Sequence, residues 1–401
     1  MEVVVDESAG ASALRAVEKV LGGKESGFTF VDGSPDGSIE RFAVIPARGM
    51  PRLLLPVTGS AMRVALGSFL GERPWIGIAS PLIRASSKIV GSRSLISKEL
   101  SLLSESGARS PMRELLTSIL GRGDFQLALR LSFGRPNAKT VIAAISDAGD
   151  ILCFAKIGSE TMTDDLVAHE SNVLEKFANV DSPVLMPRQL YAGVWDGGGN
   201  VLITEPLQLE SLSRSAKDAH IAADSFTAAS LVATDTLKKS TYWSETLERI
   251  ETLGGLKTQG SGIHDAISEI EAVWGDISFD FGPSHGDWSR ANVGMVNGRV
   301  AALDWERCTH GAPRGLDTAH FALLEASSRS RGRSFDIERV AKSTQQYLAS
   351  AGRPPEHAKP LIILDLLEMV VRFMTAQSAG LRTSDSKFEP ALEAGLRNWS
   401  A

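Results

Sequence analysis

The chain has 401 residues, 43% hydrophobic and 22% charged, and these ordinary globular proportions exclude disorder, fibrous repeats and a single small stapled domain. At about 100 to 200 residues per domain, the length predicts two or three domains, each able to bury its own core. A formal net charge of −6 leaves no overall basic excess to hold nucleic acid or an anionic membrane, so neither is expected as a partner. The two cysteines, Cys153 and Cys308, lie far apart without a CxxC or Cys/His spacing, which argues against a disulfide framework and structural zinc. Met1 to Gly10 carries Glu2, Asp6 and Glu7 where an export signal has basic and then apolar residues. The apolar run from Leu361 to Val371 is interrupted by Asp365 and Glu368, short of the roughly 20 residues of a membrane helix. The expected location is the cytoplasm.

In chain order, Phe28 to Val31, Arg41 to Ile45 and Arg52 to Leu55 read as short strands between turn-forming residues, and Met62, Leu66, Phe69 and Leu70 recur at helical spacing before Gly71. Leu95, Ile96, Leu100 and Leu103 have a spacing that fits a helix. Ser110-Pro111 is a cap followed by proline, and its apolar stripe stops at Gly121, so a helix spans the interval. Val141 to Ile145 and Ile151 to Lys156 flank Asp147-Ala148-Gly149-Asp150 and form a hairpin. Asp164 and Asp165 mark the start of the next helix, and Gln189 to Trp195 with Val201 to Glu205 form a second hairpin. From Pro206 the pattern is mainly helical, with stripes at 250–256, 263–274, 319–326 and 362–374 and one hairpin at 293–304.

Chemistry concentrates in His285-Gly286-Asp287-Trp288-Ser289-Arg290-Ala291-Asn292, followed by Asn297-Gly298 and Leu303-Asp304-Trp305-Glu306. Asn297-Gly298 is the strongest two-residue hairpin signal, and pairing across it folds Asn292 back toward Asp304. In strict register Asn292 faces Leu303 and would point away from Asp304, so Asn292 is read as a loop residue. Asp287, Asn292 and Asp304 then surround one small volume, and such oxygen ligands suit Mg²⁺ beside substrate phosphates. Phosphoryl transfer needs that metal, a cation on the phosphates and a carboxylate that orients the attacking hydroxyl.

The H-G-D-x-x-x-x-N run with its D-W-E strand end resembles the catalytic and metal loops of the aminoglycoside phosphotransferase and choline kinase family. The resemblance covers about residues 111–401 and implies an α+β, two-lobed protein-kinase-like fold with an antiparallel-sheet N-lobe and a mainly helical C-lobe. The expected domains are a small N-terminal α/β module of unassigned role at 1–110, a nucleotide lobe at 111–205 and the helical lobe at 206–401. By the same resemblance Asp287 is the catalytic base, Asn292 and Asp304 hold Mg²⁺, Lys156 on a hairpin strand is braced by Glu170, and Asp317 braces the catalytic loop. Ser132 and Gly134 stand in the place of the phosphate-covering loop, which has one glycine where the family's better examples have several. Glu205 and Leu207 stand in the linker whose backbone meets the adenine. Trp288, Arg290, Trp305 and Glu306 flank the centre as candidates for an acceptor pocket, while tryptophan beside a motif is also ordinary core packing. The function implied is ATP-dependent transfer of the γ-phosphoryl group to a hydroxyl of a small molecule: a sugar, an aminoglycoside or an amino alcohol. The alternative is a nucleotide-binding pseudokinase or scaffold without turnover. Oligomeric state is not legible from the sequence.

Overall fold

A computed structural model describes residues 7–23, 27–45, 51–57, 59–70, 98–132, 139–196, 198–212, 216–254, 261–330, 336–378 and 388–399. The chain divides into two compact units, Met1–Glu175 with Pro187–Pro206, and Lys176–Met186 with Leu207–Ala401.

In the first unit the elements run α1 (Glu7–Gly22), β1 (Phe28–Asp32), β2 (Glu40–Ile45), β3 (Leu53–Pro56), α2 (Gly59–Leu70), β4 (Glu99–Ser104), α3 (Pro111–Leu120), β5 (Phe125–Arg130), β6 (Thr140–Ser146), β7 (Ile151–Ile157), α4 (Thr161–Phe177), β8 (Gln189–Val194) and β9 (Asn200–Thr204). The strands form one nine-stranded sheet in the order β1-β4-β2-β3-β5-β6-β7-β9-β8, antiparallel throughout. Alternation along the strands sends Phe42, Leu54, Leu129 and Ile142 into a core with Val17 of α1 and Met112 and Leu116 of α3. Ala43, Leu53, Leu55 and Ala143 point to the other face, onto Met62, Leu66 and Phe69 of α2. Both faces of the inner strands are thus covered, and each fully buried leucine contributes about 2 kcal/mol.

The seam between β3 and β5 pairs Leu53 with Arg130 and Leu54 with Leu129, so the expected boundary at residue 110 falls inside this sheet. Arg113 of α3 also reaches back to β2, where its guanidinium forms a forked ion pair with Glu40, including an Nη2 to Oε2 bond of 2.9 Å. Both side chains are largely buried. Removing one partner of such a pair costs about 3–5 kcal/mol. Glu40→Ala is therefore expected to lower the stability of the whole first unit by that amount, seen in urea denaturation as a shift of one transition. A separate early transition for residues before 110 would show that the two halves of the sheet unfold independently.

Several local expectations match. Ser110 caps α3 by accepting the Arg113 N–H at 3.3 Å, and Gly121 closes it in the left-handed region. Gly149 turns the β6-β7 hairpin at φ 98°. Helix α4 begins at Thr161, three residues before Asp164, because the Thr163 hydroxyl accepts the N–H groups of Ser159 and Glu160 at 3.0 Å. Leu100 and Leu103 are not helical: Glu99–Ser104 is strand β4, bonded on both sides by β1 and β2. Its apolar spacing fitted either period over so short a run, and the two neighbouring strands decide the outcome.

The second unit contains α5 (Lys217–Ala229), β10 (Ala233–Thr236), α6 (Thr241–Gly254), α7 (Ser261–Trp274), β11 (Ser278–Ser284), β12 (Val293–Val296), β13 (Arg299–Ala302), β14 (Thr309–Pro313), α8 (Leu316–Arg329), α9 (Ile337–Ser350), α10 (Ala358–Ser378) and α11 (Phe388–Trp399). Its core joins Trp243, Ile250 and Ile270 to Leu323, Val340, the apolar side of α10 and Leu396. The 293–304 hairpin forms as expected, with Asn297 and Gly298 both at positive φ. It is not the only strand structure, since β10-β11-β14 make a second sheet. Those strands read ATDT, SFDFGPS and THGAP, whose polar, Gly and Pro content signals turns, and only pairing between distant segments makes them strands. No helix among the described residues is long and apolar enough to cross a membrane.

Candidate active site

Strand β11 delivers the chain to the loop 285–292. Asp317, at the start of α8, accepts the His285 N–H on Oδ2 at 2.8 Å and the Gly286 N–H on Oδ1 at 2.9 Å. Arg372 of α10 donates to the Gly286 carbonyl at 2.8 Å. The buried His285 ring donates from Nε2 to the Leu303 carbonyl at 2.9 Å and accepts the Asp287 N–H on Nδ1 at 3.1 Å, so one tautomer serves both bonds. Gly286 has φ 78°, and a Cβ there would lie 2.2 Å from the Arg307 carbonyl oxygen. Only glycine fits where these two backbone segments meet.

The loop therefore presents Asp287 from a fixed backbone. Its side chain is 42% exposed. Oδ2 accepts from Asn292 Nδ2 at 2.8 Å, and Oδ1 faces His320 Nε2 at 3.2 Å. Burial opposes ionisation, but the His320 bond and the charges of His320 and Arg372 prevail and hold the Asp287 carboxyl below its ordinary value. Asn292 also donates from Nδ2 to the Asp287 carbonyl at 3.0 Å, so its amide nitrogen is committed to Asp287. Its amide oxygen is the atom left to act as an acceptor.

Asn292 lies in the turn before β12, and its carbonyl accepts the Leu303 N–H at 2.8 Å, one residue from Asp304. Asp304 stands at φ 61° and ψ 59°, a left-handed conformation that breaks the two-residue alternation of β13. The structure thus brings Asp287 and Asn292 into direct contact and ties Asn292 to the residue beside Asp304. An amide oxygen and a carboxylate are hard donors, which fits Mg²⁺ and not a soft metal. Among the described residues no cluster of three or more His, Cys, Asp or Glu side chains is placed to hold a metal.

In the first unit Lys156 of β7 bonds both carboxylate oxygens of Glu170 of α4, at 2.6 and 2.8 Å. The lysine side chain is 13% exposed and the glutamate 1%, so the ammonium is held in one place instead of sampling solvent. Ser132 follows β5 and is partly buried, and Gly134 lies outside the described residues. Glu205 forms an exposed ion pair with Arg188, and Leu207, partly buried, opens the second segment of the second unit.

Trp288 and Trp305 are fully buried. Their rings pack edge-on against His285, with centroids 5.5 and 4.5 Å away, and leave no face for a sugar or an aglycone. Of the two readings of these tryptophans, an acceptor pocket or ordinary core packing, their burial against His285 fits packing. Glu306 is buried, whereas Arg290 is exposed, bonded to Glu325 at 2.6 Å and set over the Phe321 ring.

Three residues near Asp287 were not singled out in the sequence for this role. His320 of α8 bridges Asp287 and Asp365 of α10, with Nδ1 2.9 Å from Asp365 Oδ1. Burial disfavours its charge, yet Asp365 and Asp287 outweigh that and push its pKa up to about 10. Arg307 is held the other way: burial and the nearby Arg372 push it down to about 10. The signal for Asp365 was present as charge inside an apolar helix, since Asp365, Glu368 and Arg372 are spaced to share one helical face. His320 had no such signal.

The sign of the resulting pH dependence follows from linkage. A histidine whose pKa rises on folding stabilises the fold fully below its unfolded value of about 6.5, and that contribution disappears as pH climbs through about 10. Stability to urea is expected to fall between pH 7 and 10, with a shallower fall in His320→Gln. Equal slopes in the two proteins would show that His320 does not carry the charge.

The sequence matches no family model and no curated protein sequence at a significant level. Among solved structures, a thermostable mutant of the aminoglycoside phosphotransferase APH(4)-Ia in ternary complex with ADP and hygromycin B aligns at a TM-score of 0.50 and 14% identity, covering 72% of this chain and 99% of that one. The apo form of a thermostable mutant of the same enzyme aligns at 0.49 and 13%, over 71% and 98% of the two chains. Plasmodium vivax ethanolamine kinase aligns at 0.46 and 15%, over 68% and 81%. With its antiparallel sheet in one unit and its largely helical second unit, the chain has the protein-kinase-like fold of the aminoglycoside phosphotransferases.

Proposed function

We propose that this chain is an ATP- and Mg²⁺-dependent phosphotransferase acting on a hydroxyl of a small molecule such as a sugar, an aminoglycoside or an amino alcohol. The observation that carries the reading is Asp287: an ionised, half-exposed carboxylate on a loop whose backbone is pinned by Asp317 and whose side chain is oriented from both sides. In this reading Asp287 accepts a hydrogen bond from the acceptor hydroxyl and fixes the attacking oxygen. As the new O–P bond forms, the bond from the γ-phosphorus to the β-γ bridging oxygen breaks, the hydroxyl proton passes to Asp287, and ADP leaves. Because the transition state is loose, a carboxylate of low basicity is adequate: its main work is orientation, with proton uptake late. Lys156, steadied by Glu170, binds the nucleotide phosphates. Asn292 and Asp304 would hold Mg²⁺, which when bound neutralises charge on the phosphate oxygens. The neighbouring fold supports the reading by analogy, and its known ligands belong to those proteins.

The test is calorimetric titration of a non-hydrolysable ATP analogue with Mg²⁺ and then with chelator. Binding that weakens about tenfold or more on chelation is expected, since Mg²⁺ held by Asn292 and Asp304 would neutralise charge on the phosphate oxygens. Binding without turnover on any acceptor, and without slow ATP hydrolysis, would favour the scaffold reading, and no binding would remove the nucleotide site.

A further inference from the structure

Asp287 is not the end of the hydrogen-bonded chain. Behind it His320, 3% exposed, lies between two carboxylates, Asp287 Oδ1 at 3.2 Å from Nε2 and Asp365 Oδ1 at 2.9 Å from Nδ1. An ionised carboxylate offers only acceptors, so each ring nitrogen must supply a proton, and the ring that fits between two of them is the doubly protonated one. Its direction is fixed by α10, because Asp365 is itself 3% exposed on that helix.

The use of Asp365 is one-sided. Its Oδ2 has no hydrogen-bond partner and, with the equally unpartnered Ser284 hydroxyl, lines a small cavity behind the loop. The other charged groups around that cavity are Asp317, Glu368 and Arg372. Asp317 and Arg372 hold the loop backbone, and Glu368 pairs with Arg249 of α6. A buried carboxylate kept only to tie α8 to α10 would be costly with one oxygen idle, and an apolar pair would join two helices as well. Local rules are broken in this way where a side chain must be aimed.

We propose that His320, held by Asp365, is a positioning residue for the phosphotransfer reaction: it fixes the carboxylate plane of Asp287, with Asn292 fixing the other oxygen, so that one lone pair faces the acceptor hydroxyl. This rests on the reading of Asp287 as the base. Neither His320 nor Asp365 touches substrate in this scheme, and both act through Asp287. A carboxylate free to rotate loses the alignment on which an oriented attack depends, and a displacement of about 1 Å costs up to about 100-fold in rate.

The test measures ADP release from ATP with Mg²⁺ and water as acceptor, in His320→Ala, His320→Gln, Asp365→Asn, Asp287→Asn and the double variant His320→Ala/Asp287→Asn. His320→Ala is expected to lower kcat about 30- to 100-fold with KM for ATP within about twofold, and His320→Gln, whose amide still donates, to recover part of the loss. The double variant should be no slower than Asp287→Asn alone, because a positioning residue has nothing left to position. An unchanged kcat in His320→Ala while Asp287→Asn is inactive would overturn this inference and leave the base assignment standing, as would additive losses in the double variant. Full ADP release in Asp287→Asn would overturn both. A second readout needs no turnover: in histidine-labelled protein at pH 8, nuclear magnetic resonance should show one imidazole with both N–H groups, its signals moved by Asp287→Asn. If every imidazole in the unsubstituted protein lacks one of its protons at that pH, the arrangement is wrong.

Discussion

Asp287→Asn is expected to lower ADP release by about three orders of magnitude, within the range for loss of a positioned acid-base group, while the Mg²⁺-dependent affinity for a non-hydrolysable ATP analogue changes little. The substitution is nearly isosteric. The loop that carries residue 287 is held by Asp317 through two backbone N–H groups and by Arg372 through a carbonyl, and none of these bonds involves the substituted side chain. What is lost is the negative charge that His320 and Asn292 both donate to, and the oxygen to which a hydroxyl could give its proton. An amide in its place must turn its NH₂ toward one of these two donors, which misaligns the site even if the backbone is unmoved. Undiminished ADP release would remove Asp287 from the chemistry.

The second large effect concerns Lys156, and it separates stability from function. Lys156→Met takes the partner from a glutamate that is 1% exposed, and breaking such a buried pair costs about 3–5 kcal/mol. The double change Lys156→Met/Glu170→Met removes both charges, and well-packed apolar replacements for a buried pair are often neutral, so most of that stability should return. Nucleotide affinity should not return: a weakening of about tenfold or more is expected in both variants, the contribution of a charge-assisted bond to phosphate. Urea denaturation and calorimetry on the same preparations decide the matter. A double variant that binds the analogue like the parent would make the pair a structural feature of β7 and α4 alone.

Much of the site was written in contiguous residues. The 293–304 hairpin follows from Asn297-Gly298, whose positive φ values match a two-residue turn, and that turn alone returns the chain beside Asn292. The observed bond from Leu303 N–H to the Asn292 carbonyl continues the strict register of the hairpin, and it is the left-handed conformation of Asp304 that interrupts the alternation beyond it. The hairpin strand and the following helix were legible locally, the pairing of Lys156 with Glu170 on them was implied by the resemblance, and the bond between them spans only fourteen residues. Local turn chemistry and helical period are short-range forces, so a short stretch of sequence carries them.

The remainder depended on distant partners. Glu99–Ser104 became a strand because β1 and β2 flank it, and SFDFGPS became β11 because β10 and β14 do. The tryptophans beside the motif proved to be buried supports, a matter of what packs over them. The hairpins and the 111–120 helix were thus determined by the sequence itself, through turn preferences and periodicity, whereas the H-G-D-x-x-x-x-N loop was legible as a resemblance to a family. The continuity of the sheet across residue 110, and the contact of His320 with both Asp287 and Asp365, were decided only by tertiary structure, because these join residues 33 to 77 positions apart whose meeting depends on the packing of whole strands and helices.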